Sequence, residues 1–592
     1  MTVQALSPFR CSNRSLAAFA LTVFLASPTS AEDANQGDRR TAAELLPASV
    51  VAYVEVPQLG DVIELVAGHP LRQSIQDMPA VRAIGGSDQV RPLRDGIAAF
   101  EGGMGRPWNE AMGVLTDGGI HLAFDAPTQG AALLIKSSSR EQLERFRGVV
   151  LALAQLGQGD FGIARQADYR GFTAYAVNDN IKLALVDHWL LMTNKPELGK
   201  SIIDRYLDGD KQSLAASDSF AAAMAGVGDA SMKAYVDVET IRDAGVAPQL
   251  YAGKTENVAA EALFGGIVAN LAHTPSAVAT LDIDPSGVRL TLATPHQSEW
   301  ETGREYFFGE DSGASAPPLL QVPNRLLAIS THRDLSQMWL RAPDLMTDKA
   351  NEDLAQADTN LTTFFSGRDF GEDILGSLRP GIQLVVHRQS FDAASPQPAI
   401  KLPAFAMQFT MRTPEETTRE FRRVFQNVVG FINVVGAMQG QPQLDLDFEQ
   451  SDSATLVTAT YVPPREEDEL AAVPINYNFS PTIAFAGERM IVSSSTQLAR
   501  TLTGLSPQTE SDVKQPNTVA VLNADALAET LRDNKQQLVA QNMLEKGHGP
   551  DQANAEIDVL FDLLALFKDV TVELDVDDGQ LKLTTDVQLQ SK

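Results

Sequence analysis

The feature that most constrains this chain is that it repeats itself, in order. Residues 47–59 (PASVVAYVEVPQL) align without gaps on residues 323–335 (PNRLLAISTHRDL), setting Ala52 against Ala328, and both read as a β-rich run entering a helix. Residues 131–149 align on 406–424, each a strand that becomes a helix at a capping box: Ser138 with Glu141, and Thr413 with Glu416. Pro414 sits at the first helical position, where its missing N–H costs nothing. Residues 183–193 align on 483–493 as hairpins turning at Asp187-His188 and Gly487-Glu488. Each hairpin then starts a helix, boxed by Asn194 and Glu197 or by Ser494 and Gln497. Last, residues 278–294 and 571–585 read as amphipathic hairpins, with turns at Gly287 and Gly579 and the second loop shorter.

Four pairs in one order predict two diverged copies of one unit, over residues 42–296 and 318–592. The stretch 297–317 between them holds most of the small, polar run Gly309 to Pro318, which has the composition of a linker. A fainter echo sets Ala52 to Val56 against Ala234 to Val238, and Pro516 to Leu522 fills the equivalent place in the second copy. The strands alternate apolar and polar residues. The expected fold class is therefore α+β: mainly antiparallel or mixed sheets with one face covered by helices.

The N-terminus predicts export. Arg10 and Arg14 precede an apolar run, Leu16 to Ala26, that is too short to cross a bilayer, and small residues end at Ala31. Residues 1–31 read as a cleavable signal peptide and 32–41 as a disordered leader, placing the mature chain in the periplasm or outside the cell. The single cysteine, Cys11, lies in the signal, so no disulfide and no thiol chemistry is expected of the mature chain. No later stretch reads as a transmembrane segment. With 47 basic against 76 acidic residues the chain carries a formal charge of -29, which repels phosphate backbones and anionic membrane surfaces and argues against nucleic acid as a partner.

Leu46 to Glu55 (LPASVVAYVE), following a signal peptide, resembles the opening of a family of bacterial exported proteins of unknown function. The strand Asp187 to Thr193 (DHWLLMT), running into a helix that contains Leu198, is similar to that family's second hallmark. The resemblance touches both halves and implies no activity, cofactor or catalytic residue. In the second half Ile329 replaces Tyr53 and Arg489 replaces Trp189, so the hallmarks do not read as a shared active site.

Motif by motif, the chemistry is sparse. Gly157 to Gly162 spells G-x-G-x-x-G but follows a helix instead of opening one. Gly253-Lys254-Thr255 imitates the end of a P-loop without its leading glycine. Asp282 and Asp284 begin like a calcium loop, yet its twelfth position is Ala293, not the bidentate Glu required. With Asp575 and Asp577 they are the only metal candidates, and no cofactor is expected. The eight histidines show no paired ligand spacing. The expectation is a non-catalytic binding or structural protein of the envelope or exterior, with an unknown protein or small molecule as partner. Two alternatives remain. One is a carrier of an apolar or lipid ligand, its cavity lined by the helices 262–272 and 425–438. The other is an exported hydrolase with a scattered active site.

Overall fold

The structure, a computed structural model, describes residues 40–78, 81–82, 90–158, 166–209, 212–251, 253–301, 303–310, 312–391, 397–462, 473–506 and 514–590. The predicted signal peptide lies outside the described residues, as does the leader up to residue 39. Thr41, the leader's last residue, instead caps a buried helical turn, Ala42–Leu45, in a capping box with Glu44.

Ten strands precede residue 300: β1 (Val50–Val56), β2 (Ile120–Asp125), β3 (Gly130–Lys136), β4 (Gln166–Tyr169), β5 (Phe172–Ala176), β6 (Lys182–Val186), β7 (Trp189–Thr193), β8 (Met232–Asp237), β9 (Ser276–Asp284) and β10 (Gly287–Pro295). Ten follow: β11 (Arg325–Thr331), β12 (Ile382–His387), β13 (Ala404–Thr410), β14 (Leu444–Gln450), β15 (Thr455–Tyr461), β16 (Thr482–Ala486), β17 (Arg489–Ser493), β18 (Thr518–Asn523), β19 (Phe567–Asp577) and β20 (Gln580–Leu589). The helices that bear on the argument are α1 (Arg91–Met104), α2 (Trp108–Leu115), α3 (Arg140–Gln158), α4 (Pro196–Asp208), α5 (Asp218–Met224), α6 (Val258–Leu271), α7 (Glu305–Phe308), α8 (Pro414–Met438) and α9 (Thr496–Thr503).

All pairings between these strands are antiparallel, and they form one sheet. From one edge to the middle it runs β4-β5-β6-β7-β3-β2-β1-β8-β9-β10. Strand β10 then pairs along its whole length with β20. From there the sheet continues β20-β19-β18-β11-β12-β13-β17-β16-β15-β14. The order on one side of the β10–β20 seam is the mirror of the other, with the edges formed by β4 and β14. The fold is α+β. The echo strands β1 and β8 are neighbours, paired at Tyr53 and Tyr235.

Helices cover both faces of the first half, where one covered face was expected. On one face Trp189, Leu191 and Val186 pack with Leu198 and Ile202 of α4 and Phe220 of α5. On the other, Leu190, Leu183 and Leu185 pack with Met104 of α1, Leu115 of α2 and Phe146 of α3. The cause is legible in β6 and β7 themselves: KLALV and WLLMT are near-continuous apolar runs, the signature of burial on both sides.

The observed registers shift two of the ungapped alignments by one residue. The bulge of β1 falls between Val50 and Ala52 and that of β11 between Arg325 and Leu327, which sets buried Tyr53 against buried Ala328, not Ile329. In the same way Ala132, not Ala131, takes the place of Ala406: each is buried and faces Thr193 or Ser493. The hairpins β9–β10 and β19–β20 both turn through two residues, so the second loop is not shorter.

The expected capping boxes do not form: Ser138, Glu416, Asn194 and Ser494 bond residues far away in sequence, while Thr413 pairs with Thr417 and Glu141 with Arg145 one turn on. Ser138 bonds Asp117, and Glu416 bonds Arg368 at 2.9 Å. Asn194 Oδ1 accepts from the Ala131 amide and Ser494 Oγ accepts from the Phe405 amide, each at 2.8 Å. These two bonds tie α4 and α9 to the ends of β3 and β13 at matching places.

The stretch 297–317 is packed where a solvated linker was expected. Tyr306, Phe307 and Phe308 of α7 are at most 1% exposed. They lie against α6, where Gly265 and Gly266 admit them: a Cβ on Gly266 would stand 2.5 Å from the Phe307 ring. Arg304 pairs with Glu261 of α6 at 2.9 Å, and the Tyr306 hydroxyl donates to the same carboxylate oxygen at 2.9 Å. Arg333, just after β11, lies over the Phe307 ring at 3.4 Å and donates to Asn517 Oδ1 at 2.9 Å. Burial lowers the Arg333 pKa to about 9. This polar knot holds the two halves of the sheet together.

Candidate functional site

The four acidic candidates are not brought together. Strand β10 runs against β20 from Gly287 opposite Gln588 to Pro295 opposite Gln580, so the two hairpin tips stand at opposite ends of the seam, roughly 27 Å apart at the usual rise per residue. Asp284 is consumed by its own turn: it accepts from the Ser286 amide at 2.6 Å, the Ser286 hydroxyl at 2.5 Å and the Gly287 amide at 3.2 Å. The Ser286 hydroxyl above all holds its carboxyl below the usual range. Asp282 faces Arg289 across the hairpin. Asp575 lies 3.4 Å from Lys514 and Asp577 3.5 Å from Lys582. Among the described residues no group of three potential ligands could hold a metal ion. Gly253 and Lys254 serve the junction, Gly253 O accepting from Arg304 and Lys254 donating to Pro343 O. Gly157 lies within α3, and the rest of its motif beyond Gln158 falls outside the described residues.

Tyr53 and Trp189, which carry the family resemblance, meet around a residue the sequence reading passed over, His121. The Tyr53 hydroxyl lies 3.1 Å from Glu55 Oε2 and 2.9 Å from His121 Nδ1. With the phenol proton given to Glu55, the imidazole Nδ1–H donates to the phenol oxygen. Trp189 sits 5.8 Å from the imidazole, with the Lys136 ammonium 4.9 Å from its own ring. Burial lowers the His121 pKa, with Lys136 adding to the effect and Glu55 opposing it, and burial raises the Tyr53 pKa. A His beside a Tyr and a Glu has the makings of acid–base chemistry, but Tyr53, His121 and Trp189 are 2%, 5% and 1% exposed, shut off from solvent.

The second half builds something different in the same place. Ser330 faces Gln383 where Glu55 faces His121. Gln383 accepts from Gln408 at 2.6 Å, and Ser330 bonds the Pro317 carbonyl. The position stays buried and polar in both halves while its chemistry changes. The sequence held no signal for His121: the alternation in IHLAFD sets the apolar Ile120, Leu122 and Phe124 on one side, yet Leu122 and Phe124 are exposed and His121, Ala123 and Asp125 are buried.

The outer side of α4 forms an open, charged surface of Glu197, Lys200, Ser201, Asp204, Arg205 and Asp208. Its charges answer one another: Arg170 bonds Asp204 at 2.7 Å and Asp208 at 2.6 Å. It reads as a solvated helix face.

The exposed apolar surface lies elsewhere. The two apolar helices flagged as cavity walls turn large side chains outward, Leu263 and Phe264 on α6 and a longer series on α8. Helix α8 packs on β14, β15 and β16 through Phe421, Phe425 and Val429. At 100° per residue Phe431, Val434 and Met438 point away from Val429, and they are 67%, 64% and 84% exposed. Val428 and Ile432 flank them, also exposed. The first half of the same outer face is charged, with Glu416 and Glu420 both held by Arg368. From Val424 to Leu444 no residue carries a charge. Beside the end of the helix stand exposed Val462 and Ile475, fastened by bonds from Tyr477 OH to Val462 O at 2.7 Å and from Asn476 to Gln441 at 3.3 Å.

No protein-family profile and no curated protein matches this sequence. Among solved structures, crystal forms I, III and IV of TP0453 align with 43% of this chain and 78–79% of theirs, at 10–12% identity and TM-scores of 0.23–0.24. Likeness at that level carries no argument about this chain. No described helix is long and apolar enough to cross a membrane.

Proposed function

We propose that this chain is an exported, non-catalytic binding protein built from two diverged copies of one α+β unit, and that it works through the outer face of the C-terminal half of α8. The observation that carries the reading is the exposure of Phe431, Val434 and Met438 opposite the buried Val429. An amphipathic helix at a protein surface turns its polar side to water, and a contiguous apolar outer face marks a contact site. The duplication is supported by the mirrored strand order and by the matched bonds of Asn194 and Ser494. Export rests on the N-terminal pattern and on the resemblance to a family of exported bacterial proteins. The buried Tyr53–His121 cluster, closed to substrate and replaced by amides in the second half, fits a non-catalytic chain.

The test is labelling of Val434→Cys in a chain whose only cysteine, Cys11, is replaced by serine. A maleimide reagent is expected to label position 434 quickly in the purified protein and slowly in intact cell envelopes. A control cysteine at exposed Arg412 labels equally in both. Equal labelling of position 434 in both settings would sink the proposal.

A further inference from the structure

We infer that the free edge of β14 takes up an extended, basic segment of another protein as an added strand. This edge is a second surface, distinct from the outer face of α8. Strand β14 ends the sheet on one side and pairs with β15 alone. It is seven residues long, LDLDFEQ, against four, QADY, for β4 at the other edge. Its neighbours fix the phase of its backbone. The Val462 amide donates to Gln443 O and the Ser451 amide to Ala454 O, so the odd-numbered residues between them bond β15. The Ala459 amide, opposite Leu446, is turned to Pro481 O and away from β14. Leu444, Leu446, Phe448 and Gln450 therefore aim their N–H and C=O groups out of the sheet. At Leu444 the side chain of Asn433 on α8 stands in for the next strand: Nδ2 donates to Leu444 O at 2.8 Å and Oδ1 accepts from the Leu444 amide at 2.7 Å. No described residue does the same at Leu446 or Gln450, and Phe448 turns its amide to Asp447 Oδ1 at 2.8 Å.

An open edge pairs with any strand unless its side chains discriminate, and those of β14 do. Asp445, Asp447 and Glu449 alternate with Leu446 and Phe448, so carboxylates line one face of the edge. On the other face Leu446 and Phe448 are 41% and 47% exposed, with Arg422 of α8 5.8 Å from the Phe448 ring. Arg500 of α9 holds Glu449 at 3.0 Å, while exposed Asp445 and Asp447 make no ion pair among the described residues. These charges exclude a second copy of β14. Antiparallel pairing of the strand with itself sets Asp447 against Asp447, or Asp445 against Glu449, and like charges directly opposite are destabilising. Strand β4 matches no better, since its charged residue is Asp168. A partner strand with Lys or Arg at alternate positions instead sets each base opposite a carboxylate and its intervening apolar residues beside Leu446 and Phe448. The sequence that follows β15 has the same sign, with Glu466, Glu467, Asp468 and Glu469 against Arg465. Main-chain bonds then supply the affinity and the alternate side chains the specificity.

The experiment is fluorescence anisotropy of a short labelled peptide of alternating lysine and valine, titrated with the full mature chain. In the paired geometry valines lie opposite Leu446 and Phe448, so the valine N–H groups face β14 and the lysine N–H groups face away. A peptide N-methylated at its lysine amides should therefore bind. Methylation at the valine amides, with the charge unchanged, should cost at least about tenfold in affinity, because it removes the bonds to the edge. Asp445→Asn with Asp447→Asn should weaken binding by about fivefold to tenfold. Leu446→Pro removes an outward N–H and none that bonds β15, so it should weaken binding with little change in thermal unfolding. The two methylated peptides decide on the wild-type chain, whatever the proline variant does to folding. Equal binding of both shows a basic peptide drawn to an acidic chain without strand pairing, and overturns the inference. So does a wild-type chain that ignores the lysine-methylated peptide, or an Asn variant that binds it as tightly as wild type.

Discussion

The Arg304–Glu261 pair offers the sharpest perturbation of the junction between the two halves. Its side chains are 8% and 3% exposed, so it belongs with buried ion pairs and not with the surface pairs elsewhere in the chain. Glu261→Ala leaves the Arg304 guanidinium inside the protein with, among the described residues, only the Gly253 carbonyl, and strips the Tyr306 hydroxyl of its carboxylate acceptor. Breaking such a pair from one side costs about 3–5 kcal/mol, whereas an exposed pair would cost about 0–1. The double variant Glu261→Met, Arg304→Met removes both charges and leaves neither orphaned. It should recover most of that loss, because apolar replacements of buried pairs are often close to neutral. Urea titrations of the wild type, both single variants and the double variant measure the coupling. A single-variant cost below about 1 kcal/mol, or a double variant as damaged as the sum of the singles, would refute a desolvated, mutually dependent pair.

Two further predictions are independent of that pair's charge. Gly265→Ala puts a Cβ 2.3 Å from Glu261 Oε1 and 2.7 Å from the Tyr306 hydroxyl, and should destabilise by about 1–3 kcal/mol in denaturant unfolding. Gly430→Ala, on exposed α8 with nothing within 4 Å, should instead stabilise by about 0.5–1 kcal/mol. His121, His296, His332 and His387 have pKa values lowered first by burial from 6.5. The unfolded chain therefore binds more protons below that pH, and their contribution, complete above 6.5, is lost as the pH falls through the native values. Thermal melts should show stability falling on acidification, by up to about 1.4 kcal/mol per pH unit for each proton taken up. His121→Gln, which copies the Gln383 solution, should fold and flatten that dependence; an unchanged slope would contradict it.

Much of the fold could be read in the sequence where periodicity alone decides. The hairpins 183–193 and 483–493 turn where their residues predict, at Asp187-His188 and Gly487-Glu488. Register was harder. A one-residue slip between short apolar runs leaves the hydrophobic match nearly intact, yet turns every side chain to the other face. Only the bulges beside Ala52 and Leu327 fix the phase. Capping signals misled for a related reason. Asn194 and Ser494 sit one residue before the N-caps Lys195 and Ser495, and their side chains are taken by the amides of Ala131 and Phe405. Local spacing cannot register so distant a competitor. Composition hid the junction as well: Gly309 to Pro318 reads as a loop and draws attention from Tyr306-Phe307-Phe308 just before it, which is buried. On the candidate surface, the apolar character of 425–438 was visible, but its direction was not. A helix this apolar along its length shows which way it faces only once Val429 is seen against Leu444.

The account rests on two halves joined edge to edge through β10 and β20, and a disulfide across that seam tests it most directly. Thr291 and Thr584 face each other there. The His296 amide bonds Gly579 O and the Leu589 amide bonds Ser286 O, which makes Thr291–Thr584 one of the close, non-hydrogen-bonded pairs. In a chain with Cys11 replaced by serine, Thr291→Cys with Thr584→Cys should oxidise to one intramolecular bond without loss of stability, and Thr291→Cys with Thr585→Cys should not, since adjacent strand residues face opposite sides. No bond in the first variant, or equal bonding in both, would contradict a single sheet running through the seam.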